Sequence, residues 1–306
     1  MGTLISLQVT IFLLVAVGFF VKKTGLVGPQ GQKNINDLVI YIVLPCNILK
    51  AFMVEFSRDK LIACLAILLL SIGIQAFCVV YGKLLYKNQP EGKRKCLQYG
   101  IICPNGGFLG NPIAEGVFGP EGLLLASVFL IPQRIMMWSS GLAVFSGSTD
   151  RKKTMKKVLL HPCVLACAAG TVLMVTQLQL PGFLKMTITS LGNCNTALSM
   201  MVIGMILSDI DPHTLIDRTV IRYTIQRLVV LPAMVWALCL LLQALHLPVS
   251  HLVTGVPVLL TAMPAGATTS ILAEKYDMEP EFATKMVIFS TLLSLPSICL
   301  WSMVLV

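Results

Sequence analysis

Long runs of hydrophobic residues alternate with short polar connectors along the whole chain. Ten of these runs are long enough to cross the roughly 30 Å hydrocarbon core of a bilayer as helices. The predicted spans are 4–21, 36–54, 61–82, 96–118, 122–146, 158–178, 184–207, 223–245, 252–275 and 282–304. This pattern predicts an all-α membrane protein with ten transmembrane helices.

Composition agrees with a membrane location for the entire chain. Of its 306 residues 56% are hydrophobic and only 12% are charged, and the mean hydropathy is +0.84. Soluble domains carry about twice that charged fraction. The first run, Leu4 to Val21, is not preceded by basic residues as a signal peptide would be, so we interpret it as the first span. The net charge of +9 lies in short connectors without an aromatic-rich soluble domain, which disfavours nucleic acid as a partner.

Basic residues are concentrated on one side of the predicted membrane. The connectors after spans 1, 3, 5, 7 and 9, together with the adjoining span ends, carry 17 lysines and arginines, whereas those after spans 2, 4, 6 and 8 carry 3. Cytoplasmic loops hold the excess of lysine and arginine, so the odd-numbered connectors are predicted to face the cytoplasm. We therefore expect a multi-pass protein of the cell membrane with both termini extracytoplasmic.

Identical residues at corresponding places in the first and second parts of the chain indicate two halves of opposite orientation. The pairs are Asn47 with Asn195, Gln75 with Gln226, and Pro104 with Pro264, at separations of 148, 151 and 160 residues. An odd number of spans in each half inverts the second half, as in transporters built from inverted repeats. We predict a first five-helix repeat in residues 1–146, a cytoplasmic linker in 147–157 and a second repeat in 158–306.

Helix-breaking residues interrupt predicted spans 4 and 9 at corresponding places. Span 4 contains CPNGGFLGNPIAEGVFGP from Cys103 to Pro120, and span 9 contains MPAGATTS from Met263 to Ser270. Proline removes a backbone donor and glycine permits a sharp turn, so each span is predicted to divide into two half-helices. Irregular backbone at this depth must be surrounded by protein or a water-filled cavity. The N-terminal end of a half-helix would then attract an anion. Two helices kinked for packing alone are the alternative.

The candidate substrate-binding residues lie at these breaks and on neighbouring spans. They are Pro104, Asn105, Gly106, Asn111, Pro264, Ala265, Gly266, Asn47 and Arg134. The side chains of Asn105 and Asn111 can both donate and accept hydrogen bonds, which suits either a carboxylate or the broken helix ends. Asn47 and Asn195 either line the pathway or tie their helices together, and we favour the tie.

Three basic residues lie four or more residues from either end of a predicted span. Insertion of Arg134, near the middle of span 5, costs at least about 2.5 kcal/mol, so it should face a cavity or a partner. That partner is either a substrate anion or an internal carboxylate or carbonyl group. Lys50 and Arg227 lie nearer span ends, and we expect both to extend toward the membrane surface. Glu115 is the nearest candidate for proton coupling, whereas sodium bound by backbone carbonyls would leave no trace in the sequence.

The chain resembles the auxin efflux carrier family, which includes plant PIN carriers and malate-type permeases, over essentially its whole length. The resemblance rests on VLPCNIL at 43–49, on Pro104-Asn105 with Gly110-Asn111-Pro112, and on Met263-Pro264-Ala265-Gly266 followed by Ala273-Glu274-Lys275-Tyr276. It implies a scaffold part from spans 1, 2, 6 and 7 and a transport part from spans 3–5 and 8–10. It also implies two broken helices that cross at the substrate site, and elevator-type movement. The short connector between spans 5 and 6 and the small residue Ala265 favour a compact prokaryotic permease over plant carriers of auxin.

These features predict a secondary transporter of small organic anions, such as malate-type dicarboxylates or auxin-like acids. No nucleophile–base motif, metal-ligand spacing or paired intramembrane aspartate predicts an enzyme, a metal site or a cofactor. Proton coupling, sodium coupling and uniport are all left open, as is assembly into a homodimer. A sensor or channel that shares the carrier fold is the alternative function.

Overall fold

The computed structural model describes residues 2–55, 57–138, 144–145, 160–208, 217–245 and 250–305, in which the chain is helical and contains no β-strand. The helices are α1 (Gly2–Lys23), α2 (Pro29–Phe52), α3 (Arg58–Leu85), α4 (Glu91–Ile102), α5 (Asn111–Trp138), α6 (Pro162–Thr176), α7 (Gly182–Ser208), α8 (Arg218–Ala244), α9 (His251–Thr261), α10 (Thr268–Lys275) and α11 (Pro280–Leu305). The predicted all-α class is confirmed for these ranges. The predicted linker at 147–157 lies outside the described residues.

Several helices have the length and surface of membrane spans. Among the described residues, six helical segments are long and apolar enough to cross a membrane, namely Pro29–Phe52, Arg58–Leu85, Gly106–Met137, Gly182–Ser208, Arg218–Ala244 and Pro280–Leu305. Their outer faces carry large hydrophobic side chains, such as Leu69 and Leu300, which are 70% and 65% exposed. A continuous apolar surface of this kind is suited to lipid tails rather than water. The chain is a multi-pass membrane protein.

The helical path is interrupted where proline and glycine cluster. The chain leaves helical geometry between α4 and a π turn at Gly106–Gly110, and again between α9 and α10. A third interruption lies within α5, where Gly119 adopts φ +71° immediately before Pro120. Only glycine takes this left-handed conformation at little cost. The predicted boundary between spans 4 and 5 falls at this position.

Three π turns occur in the described ranges, and proline accounts for their positions. They are Val39–Val43, Gly106–Gly110 and Gln226–Val230, and proline follows two residues after each of them, at positions 45, 112 and 232. A proline ring clashes with the carbonyl four residues earlier in an α-helix, and the wider π turn moves that carbonyl away. Proline alone is not sufficient to produce a π turn, because helices without such a turn contain Pro132, Pro257 and Pro296.

The helices pack in two groups. One group contains α1, α2, α6 and α7, and the other contains α3, α4, α5, α8, α9, α10 and α11. The closest approach in the first group is between α1 and α7, where a Cβ atom on Gly18 would lie 2.0 Å from the Met201 carbonyl oxygen. A Cβ on Gly204 would likewise lie 2.0 Å from the Val15 carbonyl oxygen. Glycine at these two positions therefore permits backbone contact between the helices.

Candidate functional site at the helix crossover

The two helix interruptions meet through their backbones, and we call residues 103–106 and 263–266 the crossover. Pro104 and Ala265 form an isolated antiparallel bridge. The Asn105 N–H donates to the Pro264 carbonyl at 2.8 Å, and the Gly266 N–H donates to the Cys103 carbonyl at 3.0 Å. These bonds satisfy polar groups that have left the helices, as a membrane interior requires.

Small residues and two side chains fix the crossover. A Cβ atom on Gly266 would lie 3.0 Å from the Cys103 carbonyl oxygen, so a larger residue would press against that oxygen. The Gln133 side chain of α5 donates to the Pro104 carbonyl at 2.7 Å. The Ala265 N–H donates to the Ser290 hydroxyl of α11 at 3.2 Å. Helices on both sides therefore hold the bridge in place.

Unpaired polar atoms surround the crossover. Both side-chain atoms Oδ1 and Nδ2 of the fully buried Asn111 lack a hydrogen-bond partner among the described residues. The same is true of Gln133 Oε1 and of Thr269 Oγ1 in the first turn of α10. An unsatisfied buried polar group costs about 1–3 kcal/mol. A ligand or water that reached this region would remove that cost.

The sequence leaves two roles open for Asn105 and Asn111, namely contact with a substrate and capping of the broken helix ends. Asn105 precedes the π turn but makes no side-chain capping bond. Asn111, which follows the turn, caps no helix end through its side chain either. The capping role therefore has no side-chain hydrogen bond to support it in the described ranges.

Arg227 is a residue of this site that the sequence analysis missed. It is only 1% exposed, and its Nε donates to the Met263 carbonyl and its Nη1 to the Ile101 carbonyl, both at 2.9 Å. Its Nη2 is buried and has no partner in the described part of the chain. The expectation that Arg227 extends to the membrane surface was wrong. Two helix-end carbonyls that lack intrahelical donors draw the guanidinium inward instead.

A second polar cluster joins α2 and α7 beside the crossover. The Asn195 side chain donates to Asn47 Oδ1 at 3.3 Å, and Asn47 Nδ2 lies 3.3 Å from the Gly192 carbonyl oxygen. This is the tie between helices that we favoured for these two asparagines. On the same helix as Asn47, Leu44 packs close to the π turn, since its Cδ2 would lie 3.3 Å from a Cβ atom on Gly107.

An ion pair connects this cluster with α5. Lys50 Nζ lies 2.6 Å from Glu115 Oε1 and 3.0 Å from Asn193 Oδ1. Asn47 Nδ2 donates to the other oxygen of the Glu115 carboxylate at 3.3 Å. The side chains of Lys50 and Glu115 are only 21% and 24% exposed. The sequence did not predict this ion-pair partner for Lys50.

Arg134 lies apart from the crossover. It is buried, and its Nη1 is 3.8 Å from Cys167 Sγ on α6, while its Nη2 lacks a hydrogen-bond partner among the described residues. No described contact brings its guanidinium to the crossover. The preceding residue, Gln133, contacts the crossover instead, through the Pro104 carbonyl.

A metal centre has no support in the described part of the chain. No group of three or more histidine, cysteine, aspartate or glutamate side chains there could hold a metal ion. The cysteines are free, and most of them are buried. Buried cysteine acts here as a small hydrophobic residue.

Comparisons with known proteins agree with this architecture. The sequence profile of a family described as "Membrane transport protein" matches residues 3–155 and 151–302. An uncharacterized transporter of Methanothermobacter thermautotrophicus is 26% identical over 300 residues, which cover 97% of this chain and 96% of the relative. An uncharacterized transporter of Methanocaldococcus jannaschii is 26% identical over 312 residues, which cover 96% of each protein.

Proposed function

The chain belongs to the membrane transport protein family, and from this premise we propose that it is a secondary transporter of small organic anions that bind at the crossover. The observation that carries the proposal is the backbone bridge between Pro104 and Ala265. This bridge brings the start of the π turn at Gly106 and the start of α10 close together in the buried interior of the protein. Helix starts carry free N–H groups and a positive partial charge, which favour an anion.

The unpaired polar atoms at the crossover support a ligand of this kind. Asn111, Gln133 and Thr269 offer donors and acceptors that no described residue uses. An organic acid has carboxylate oxygens that accept such bonds, and malate-type dicarboxylates or auxin-like acids both fit this chemistry. The membership in a transport family favours movement of the ligand over its chemical conversion.

We assign the chain ten membrane crossings in two inverted halves. In this assignment α4 and the part of α5 before Gly119 form the fourth crossing, and the rest of α5 forms the fifth. Helices α9 and α10 together form the ninth crossing, and each remaining helix forms one crossing. The family profile matches two consecutive segments, 3–155 and 151–302, which correspond closely to the proposed halves 1–146 and 158–306. The two helix breaks then occupy matching positions in the halves. The excess of basic residues places the odd-numbered connectors in the cytoplasm and both termini outside.

The two packing groups support elevator-type movement. The group of α1, α2, α6 and α7 corresponds to a scaffold, and the group that contains the crossover corresponds to the moving part. The pair between Lys50 on α2 and Glu115 on α5 joins the two groups. Polar contacts of this kind can be exchanged during sliding, whereas interlocked apolar side chains resist it.

Uptake by the purified protein in liposomes tests the proposal, with malate, a monocarboxylate and indole-3-acetate as probes. We expect saturable uptake of at least one acid, and Asn105→Ala should lower its rate roughly tenfold or more, because a hydrogen bond to a charged group contributes about 1.5–3 kcal/mol. The matched control is Asn36→Ala, since Asn36 is also partly buried but lies at the start of α2.

Three results would contradict the proposal. Wild-type rates for Asn105→Ala would remove the site from the crossover. Binding of an acid without any uptake would indicate a sensor. Ion currents far above the turnover of a carrier would indicate a channel.

A further inference from the structure

We propose that Arg227 is the built-in cation of the crossover, occupying with its own charge the position that a coupling cation would otherwise take. This inference rests on the proposed transport function and deepens it. It assigns a positioning role to a side chain at the substrate site and predicts that the site needs no sodium.

Arg227 contacts the ends of two helices. Ile101 lies in the last turn of α4, and Met263 follows the end of α9. Both carbonyls accept from the guanidinium at 2.9 Å. The carboxyl end of a helix carries about half an elementary negative charge, so two such ends together match one guanidinium.

No carboxylate among the described residues compensates the charge of Arg227. Arg227 is fully enclosed, and no described carboxylate forms an ion pair with it. The polar groups beside it are the neutral side chains of Tyr223, Tyr86, Cys78 and Cys103. A buried charge needs compensation, and in this environment the two helix ends supply it.

The contacts of α8 with its neighbours hold the Arg227 guanidinium in a fixed place. Pro232 has no N–H to offer the Leu228 carbonyl, which instead accepts from the indole N–H of Trp301 at 2.9 Å and from Ser297 at 3.3 Å. One turn before Arg227, Tyr223 packs so closely on Gly100 that a Cβ atom there would lie 2.6 Å from the tyrosine oxygen. These contacts anchor α8 to α11 on one side and to α4 on the other.

Only the second half of the chain provides an arginine at this position of the proposed repeat. In the proposed repeat Gln75 corresponds to Gln226, so the position that matches Arg227 is Ala76. A single arginine from the second half therefore serves both broken helices.

The position of Arg227 determines whether substrate binding at the crossover can be coupled to sodium. Unwound carbonyls and half-helix carboxyl ends are the groups that coordinate sodium in transporters with broken helices. Here two of these carbonyls already accept hydrogen bonds from Arg227, and its charge repels a second cation. Substrate binding at this crossover should therefore be independent of sodium.

The test compares Arg227→Gln, which removes the charge, with Arg227→Lys, which keeps it, and uses Arg222→Gln as control because Arg222 is exposed on the same helix. Thermal unfolding of the purified proteins is measured in sodium, methylguanidinium and N-methylglucamine chloride. We expect wild type, Arg227→Lys and Arg222→Gln to respond equally to all three salts. Arg227→Gln should unfold several degrees lower in N-methylglucamine and should be stabilised by sodium or methylguanidinium, which can enter the vacated position.

Uptake of malate and indole-3-acetate is measured in the same salts. Wild-type uptake should be unchanged when sodium is replaced, whereas Arg227→Gln should lose roughly tenfold or more, as expected for a lost charged hydrogen bond, and regain part of the rate with methylguanidinium. Stabilisation of the wild type by sodium, or an Arg227→Gln protein indifferent to every cation, would overturn the inference. If neither acid is taken up, the proposed function fails, while the unfolding data still decide the role of Arg227.

Discussion

At the residue scale, the charged side chains inside the membrane each meet a specific polar group. Arg227 contacts two carbonyls, Lys50 contacts Glu115, and the polar end of Arg134 lies beside Cys167. Burial of a charge is costly unless it is compensated, so these contacts are expected to be important for stability as well as function. The Lys50–Glu115 pair is an ion pair that joins the two packing groups.

We predict measurable coupling between Lys50 and Glu115. Because both side chains are mostly buried, a double-mutant cycle with Lys50→Met and Glu115→Gln should give a coupling energy of about 1 kcal/mol or more in thermal unfolding. The matched control is the pair Lys60–Glu121, which is longer at 3.7 Å and in which the glutamate is 53% exposed.

The control pair should give a coupling energy close to zero, because water screens it. The charge-swapped protein with Lys50→Glu and Glu115→Lys should transport better than either single variant. Equal coupling energies in the two pairs, or no recovery in the swapped protein, would contradict a role for this pair at the interface.

At the element scale, proline and glycine determine where helices widen or end. The π turns precede Pro45, Pro112 and Pro232, and the left-handed residue Gly119 precedes Pro120. These effects are local, so the sequence alone predicted both interruptions near their observed positions. Whether the two interruptions touch is not a local property, and the bridge between Pro104 and Ala265 depends on the packing of α5 and α11 around it.

We predict that Gly266→Ala destabilises the crossover. The new methyl group would lie 3.0 Å from the Cys103 carbonyl oxygen, and moving that oxygen weakens the hydrogen bond it accepts from Gly266 N–H. Overpacking of this kind costs about 1–3 kcal/mol. Thermal unfolding and liposome uptake should both decrease.

Gly73→Ala is the matched control for this substitution. No atom lies within 4 Å of the Cβ position at Gly73, which is inside α3. Alanine is a better helix former than glycine, so this variant should be as stable as the wild type or slightly more stable. A Gly266→Ala protein that unfolds at the wild-type temperature would show that the crossover tolerates a wider separation.

At the scale of the whole molecule, the distribution of basic residues predicts orientation. The proposed arrangement places both termini outside and the connector around residues 86–90 in the cytoplasm. Epitope tags at either terminus should therefore bind antibody on intact cells, because the 17 basic residues of the odd-numbered connectors are retained inside. A tag inserted after Asn88 should bind only after permeabilisation, and the reverse pattern would refute the orientation.

The candidate site was predicted in part. The sequence identified Pro104, Asn105, Pro264 and Gly266 because helix breakers in apolar runs are conspicuous, and the structure brings these residues together. It did not identify Gln133 or Arg227, because an isolated glutamine or arginine carries no local pattern that names its partner. Arg134 stands out in the sequence because it is charged, whereas its neighbour Gln133 makes the contact with Pro104.

By itself the sequence determined that the chain is helical, that it lies in a membrane and where two of its helices break. These properties follow from hydropathy over about 20 residues and from the backbone chemistry of proline and glycine, which act locally. Only the tertiary structure decided which groups meet: Arg227 and the Ile101 carbonyl are 126 residues apart in the chain, and Lys50 and Glu115 are 65 apart. Such contacts arise from the packing of whole helices, which brings together groups that no local pattern relates.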